Sequence, residues 1–225
     1  MNKIFFKTLL SSLIFLSAAN ANKIAVVTKV KGMVEIMPTG KKLFSKLKAG
    51  SILADGDKIR TGTSGFAAII FIDDKSTLKL KGNSEAVITG QRTAASISKK
   101  INMDSGTIRA TIKKQNSSFV IQTPTSVASV KGTDFWLLTD PDKGDQVIGL
   151  EGIVSLKNID TGQDVDVVQG MSGISTPDGD VGVEETVASS IPTDPSESSE
   201  DGPSQFKIYL EGPNGTQKVM VIEYQ

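Results

Sequence analysis

Apolar and polar residues alternate with a period of two through much of the chain, and helical periodicity is scarce. In Thr77-Leu78-Lys79-Leu80-Lys81 the leucines face one way and the lysines the other, as in a strand with one dry and one wet face. Segments of this kind, rich in β-branched residues and parted by Gly, Asp, Asn or Pro, predict an early group of strands at 24–30, 33–37, 66–72, 77–81 and 85–89. A later group is predicted at 96–103, 107–112, 118–122, 126–130, 134–139, 146–150, 153–157 and 164–168. The one stretch with a helical reading, 41–48, is short and reads equally as a loop.

Glycine followed by any residue and then a β-branched one opens three of the strands, at Gly32-Met33-Val34, Gly106-Thr107-Ile108 and Gly152-Ile153-Val154. Their unequal spacing rules out a regular repeat array. It marks tight corners where a backbone angle is needed that other residues resist. Many short strands with frequent corners predict an all-β domain over 22–175, a small β-roll or β-solenoid with a β-sandwich as the alternative. From 176 to 205 the chain turns to Pro, Ser, Asp, Glu and Gly, the composition of a disordered acidic linker. Beyond it, 206–225 reads as a β-hairpin turning at Asn214-Gly215.

Composition narrows the chemistry. The chain has no Cys and no His, which removes disulfides, thiol nucleophiles, zinc–thiolate and iron–sulfur sites, and every Ser–His or Cys–His catalytic arrangement. Net charge is zero but segregated. Residues 22–157 hold 21 basic and 12 acidic side chains, and 158–225 hold 2 basic and 13 acidic ones. The basic part can meet an anionic envelope polymer or the chain's own acidic segment, and the second reading is the simpler.

At the N-terminus, Lys3 and Lys7 precede an apolar run from Leu9 to Leu16, and Ala19-Asn20-Ala21 supplies the small residues a signal peptidase accepts. This predicts a secretory signal peptide cleaved after Ala21. The run falls short of the roughly 20 residues that span a bilayer, and nothing later is long and apolar enough to do so. The expectation is an exported bacterial protein, periplasmic or extracellular, with no membrane span after cleavage.

A set of fragments in fixed order then carries a family likeness. They are Gly32-Met33-Val34-Glu35-Ile36, Leu53-Ala54-Asp55-Gly56-Asp57-Lys58-Ile59-Arg60-Thr61, Ala67-Ala68-Ile69-Ile70-Phe71 and Asp73-Asp74-Lys75-Ser76-Thr77-Leu78-Lys79-Leu80. Phe119-Val120-Ile121-Gln122-Thr123-Pro124 and Ala128-Ser129-Val130-Lys131-Gly132-Thr133-Asp134-Phe135 follow, then Gly149-Leu150-Glu151-Gly152-Ile153-Val154 and Val167-Val168-Gln169-Gly170. Together they resemble the FecR domain, the periplasmic part of iron-citrate-type signalling regulators. That family usually has Arg where this chain has Lys131, which keeps the charge but loses the planar fork that grips a carboxylate. Its signalling members also resemble a sigma-factor-binding helix bundle joined to a membrane helix, and here a signal peptide stands in that place. The resemblance implies a non-catalytic binding module, a protein-interaction or envelope-signalling accessory. The alternative is a structural or adhesive surface protein that holds an anionic polymer.

Two motifs invite a sharper chemical reading. Asp104-Ser105-Gly106 echoes an aspartic protease, but that mechanism needs two such carboxylates sharing one proton, and Gly106 already serves as a strand-opening corner. Asp140-Pro141-Asp142-Lys143-Gly144-Asp145 spaces carboxylates as a calcium loop does, yet it lacks the closing bidentate Glu and carries a lysine. No local pattern marks a glycosidase carboxylate pair, and the basic part lacks the interleaved aromatics of a nucleic-acid surface. No catalytic residue, cofactor or metal is therefore expected. The candidate interaction surface is Lys79, Lys81, Lys113, Lys114 and Lys131, for an unknown protein or an anionic polymer.

Overall fold

The computed structural model describes residues 22–93, 96–114 and 117–196, together with the backbone of two strands at 204–211 and 217–224. The expected signal peptide and the part of the expected linker from 197 to 203 lie outside the described residues.

The first strands are β1 (Lys23–Lys31), β2 (Val34–Met37), β3 (Ser45–Lys46), β4 (Ile52–Ala54), β5 (Asp57–Thr61), β6 (Phe66–Phe71) and β7 (Thr77–Leu80). Then come β8 (Glu85–Arg92), β9 (Ile97–Thr111), β10 (Phe119–Gln122), β11 (Ser126–Val130), β12 (Asp134–Asp140) and β13 (Gly144–Glu151). The series continues with β14 (Ile153–Asn158), β15 (Asp164–Val168), β16 (Met171–Ser175) and β17 (Val181–Glu185). The last pair is β18 (Ser204–Glu211) and β19 (Gln217–Tyr224), joined antiparallel as the C-terminal hairpin.

The strands pair into two layers. Layer one runs β4–β1–β6–β7–β9–β12–β13–β16–β17. Layer two runs β3–β2–β5–β8–β9–β10–β11–β14–β15, and its β9–β10 pair is parallel. Successive hairpins alternate between layers, and both layers have open edges. The all-β expectation is met in the form of a flattened, open roll.

β9 belongs to both layers, and it fuses two strands that the sequence pattern separates. Residues 97–105 pair with β8 and residues 106–111 with β12. The switch comes at Gly106, where φ is +114° and a Cβ would sit 2.4 Å from the Cα of Ser84. Any side chain there would collide with backbone, so glycine is required. Asp104-Ser105-Gly106 is thus a bend in a strand, with Asp104 paired to Lys58 at 3.3 Å.

One hydrophobic core fills the space between the layers. Phe71 of β6 and Phe119 of β10 meet edge to face, centroids 5.7 Å apart, across it. Asp55-Gly56-Asp57 is the expected turn. The buried Asp57 accepts from the amides of Thr39 (3.0 Å) and Ala54 (2.8 Å), and Asp55 accepts from that of Gly90 (2.9 Å).

No helix forms over 41–48; apart from the short edge strand β3 it is the loop that the sequence allowed equally. One expectation is corrected. The segment expected as a linker from 176 does not leave the domain there. β17 extends layer one, a 3-10 turn follows at Ala188–Ser190, and the chain then lies back across the layer to Ser196. Val181-Gly182-Val183-Glu184-Glu185 escapes a composition-based reading because it is an acidic, mostly exposed edge strand held by main-chain bonds.

Candidate interaction surface

Register aligns one outward-facing row across layer one. Lys29 of β1 pairs with Ala68 of β6, Ala68 with Lys79 of β7, and Lys79 with Arg109 of β9. Arg109 pairs with Trp136 of β12, Trp136 with Ile148 of β13, and Ile148 with Ser172 of β16. The row therefore passes from cationic to aromatic to aliphatic. Trp136 and Ile148 are buried, yet they lie outside the core between the layers. Something on the outer side covers them.

Over Trp136 that cover is the chain's own segment 191–196. Ile191, Pro192, Thr193 and Asp194 line a recess of about 370 Å³ with Trp136, Leu150 and Arg109. The Asp194 carboxylate, 2% exposed, takes Lys79 at 2.6 Å and Arg109 at 2.9 Å. Lys81 donates to the carbonyl of Thr193 (2.9 Å) and Lys31 to that of Pro195 (3.4 Å). Arg109 is also held by Asp134, through two bonds of 3.0 and 2.9 Å. The Lys81 ammonium and the Arg109 guanidinium stand 5.6 and 5.9 Å from the Trp136 ring centroid, within cation–π range. Burial works against charge on Asp194. Bonds from Lys79 and from the hydroxyl and amide of Ser196 outweigh it and hold the carboxyl at about 2.

The structure divides the five candidate lysines into two groups. Lys79 and Lys81 lie under the acidic segment. Lys113 and Lys114 follow β9 and are exposed, as is Lys131 in the β11–β12 turn. The backbone at Gly132 comes against Lys114, so these three cluster at one end of the domain, beside a smaller recess that Asp134 and Glu151 also line. Arg109, Trp136, Asp134 and Asp194 were missed from the pattern of charges alone. A signal for Trp136 was present, because Phe135-Trp136-Leu137-Leu138 does not alternate, and an unbroken apolar run implies a strand covered on both faces.

The loop with calcium-like spacing is the β12–β13 turn. Asp140 accepts from the amide of Asp142 (3.0 Å), which with the nearby Lys143 keeps its carboxyl below the usual range. Asp145 points the other way, taking the hydroxyls of Thr123 (2.5 Å) and Ser126 inside the domain. The loop's carboxylates do not converge, and no cluster of three or more potential metal ligands occurs among the described residues. No helix among them is long and apolar enough to cross a membrane.

Comparison with known proteins places this geometry. No curated protein matches the chain. Two crystal structures of candidate anti-sigma factors from Parabacteroides distasonis ATCC 8503 align with it, the first of them with a shared fold. One, at 2.50 Å resolution, has a TM-score of 0.50 and 13% identity; the other, at 1.65 Å, has 0.48 and 14%. Each alignment covers 58% of this chain and 60% of the solved one, so this chain spans less than two thirds of their length. At such identities the likeness is one of fold alone. The family model described as FecR protein matches residues 57–155, a span that includes Lys79, Arg109, Asp134 and Trp136 but not Asp194. Over residues 57–155, somewhat under half of the chain, the sequence matches the FecR protein family.

Proposed function

We propose that the chain is an exported, non-catalytic binding module that serves envelope signalling by holding another protein. The observation that carries this reading is the outer face of layer one. It is able to grip polypeptide, since the chain's own segment 191–196 already lies on it with main-chain carbonyls and the Asp194 carboxylate engaged by four cations. The FecR match supports a regulatory setting, and the leader-like residues 1–21 support placement outside the cytoplasm.

The test is crosslinking of the tagged protein in intact cells, followed by identification of what is captured. Reproducible capture of one protein is the expected result, and capture of glycan alone would overturn it. A second reading, attachment to an anionic polymer, is favoured by the exposed Lys113, Lys114 and Lys131 cluster. Binding of that kind would weaken steeply between low and physiological salt, and replacing the three lysines with Ala would abolish it. N-terminal sequencing of the protein recovered from cells checks export, with Asn22 as the expected first residue.

A further inference from the structure

We infer that the face formed by Lys79, Lys81, Arg109 and Trp136 is the module's partner site, that its ligand is an extended acidic peptide of another protein, and that 191–196 is a cis occupant which this peptide displaces. The inference rests on the protein-binding reading and names its site.

Three observations carry it. The platform is complete without the segment, because Lys79, Lys81, Arg109 and Trp136 all fall within the family match and Lys31 lies on β1, while the bound carboxylate comes from outside that match. The contacts are generic to acidic peptide. Two lysines take main-chain carbonyls, and one carboxylate takes Lys79 and Arg109, so any chain with a suitably placed Asp can offer the same groups. The segment is also not a ladder strand. It has no regular secondary structure and shapes itself through the Asp194–Ser196 turn, so leaving costs the sheets no main-chain bonds. A short tether gives it an effective concentration of order millimolar, so cis occupancy prevails until a competing peptide binds more tightly.

Trp136 is the only tryptophan of the chain, so its emission reads the site directly. The experiment uses full-length protein, wild type and Asp194→Ala, with a labelled synthetic peptide of the sequence Val-Ala-Ser-Ser-Ile-Pro-Thr-Asp-Pro-Ser-Glu. The variant is expected to show red-shifted, more quenchable emission, and to bind the peptide at least tenfold more tightly than wild type. Peptide binding should restore the blue emission. A peptide with Asn in place of its Asp should bind at least tenfold more weakly, and Lys79→Ala in the variant should do the same to the acidic peptide. Unchanged emission in Asp194→Ala, or equal affinity for the two peptides, would overturn the inference. Asp194→Asn, which keeps the shape, is run beside it. Loss of cooperative unfolding in both variants would overturn the inference too, since a displaceable segment cannot be essential to the core. The outcome is independent of the cell experiment. A partner captured equally well by a Lys79→Ala/Arg109→Ala protein would remove this site and leave the binding module standing.

Discussion

Two ionic clusters of this domain are near mirror images. In one, a single cation sits between two carboxylates: Lys99 of β9, with no exposed side-chain surface, takes Asp73 and Asp74 at 2.8 Å each. In the other, a single carboxylate sits between two cations: Asp194, nearly as buried, takes Lys79 and Arg109. The first cluster is made within the β6–β7 turn and the adjoining strand, at 26 and 25 residues of separation, and Asp73 also accepts the amide of Ile97 (2.8 Å). The second joins the strands of the FecR-matched region to a segment 115 residues from Lys79. Similar burial and similar chemistry thus do different work. The Lys99 cluster locks a corner of the roll, and the Asp194 cluster latches a detachable segment onto a finished surface.

The comparison breaks most visibly at Lys99. Replacement by Ala empties a fully buried site and leaves two part-buried carboxylates side by side with no cation between them, so a loss of about 3 kcal/mol in global stability is expected. Urea unfolding checks it. Asp194→Ala removes a charge just as buried, but the freed Lys79 can reach water once the segment lifts. The expected loss is about 2 kcal/mol of latch stability, with the main unfolding midpoint little changed and faster proteolysis between 186 and 203. Equal losses of global stability in the two variants would show that the clusters do not differ in kind.

Acid sharpens the same contrast. The Asp194 carboxyl lies at about 2 when latched, against 3.8 for a free aspartate. Its pKa is depressed, so its contribution is complete above pH 4 and drains away as pH falls towards 2, by about 2 kcal/mol in all. Trp136 emission should therefore move to the red over pH 4 to 2 while the β-sheet circular dichroism persists. Asp73 is also lowered, burial being outweighed by the Lys99 bond and the Ile97 amide, so the core weakens in the same direction and only the order of events separates them.

The parts of the fold that were legible are those where one residue states its own environment. Alternation in 77–81 predicted a strand with a wet face, and Gly32, Gly106 and Gly152 marked corners that all prove to have positive φ. The fusion of two strands into β9 was hidden, because a bend between layers looks locally like a break. Lys79 and Lys81 were legible as outward cations on a strand. Their partner was not, since Asp194 sits in a stretch whose composition is that of a linker, and nothing local records a contact over 115 residues. Only the opposite charges of the two parts of the chain hinted at it, together with the unbroken run at Phe135–Leu138.

The smallest expected effect tests whether burial, and not mere pairing, separates these clusters from the rest of the surface. Lys58 lies between Glu85 and Asp104, so its surroundings copy those of Lys99, one ammonium with two carboxylates. The hydrogen bond it donates to Glu85 raises its pKa first, against some burial, and Asp104 adds to the rise. Yet the Asp104 side chain is 60% exposed, where solvent screens the attraction and ordering a long side chain offsets much of the gain. Asp104→Asn should therefore shift the urea midpoint by an amount equivalent to about 0.5 kcal/mol or less. It should leave Trp136 emission and the latch untouched, because Asp104 lies in the layer-two part of β9 and contributes nothing to the outer face of layer one. A loss approaching that of Lys99→Ala would mean that the number of paired carboxylates, not their exclusion from water, sets the strength of each cluster.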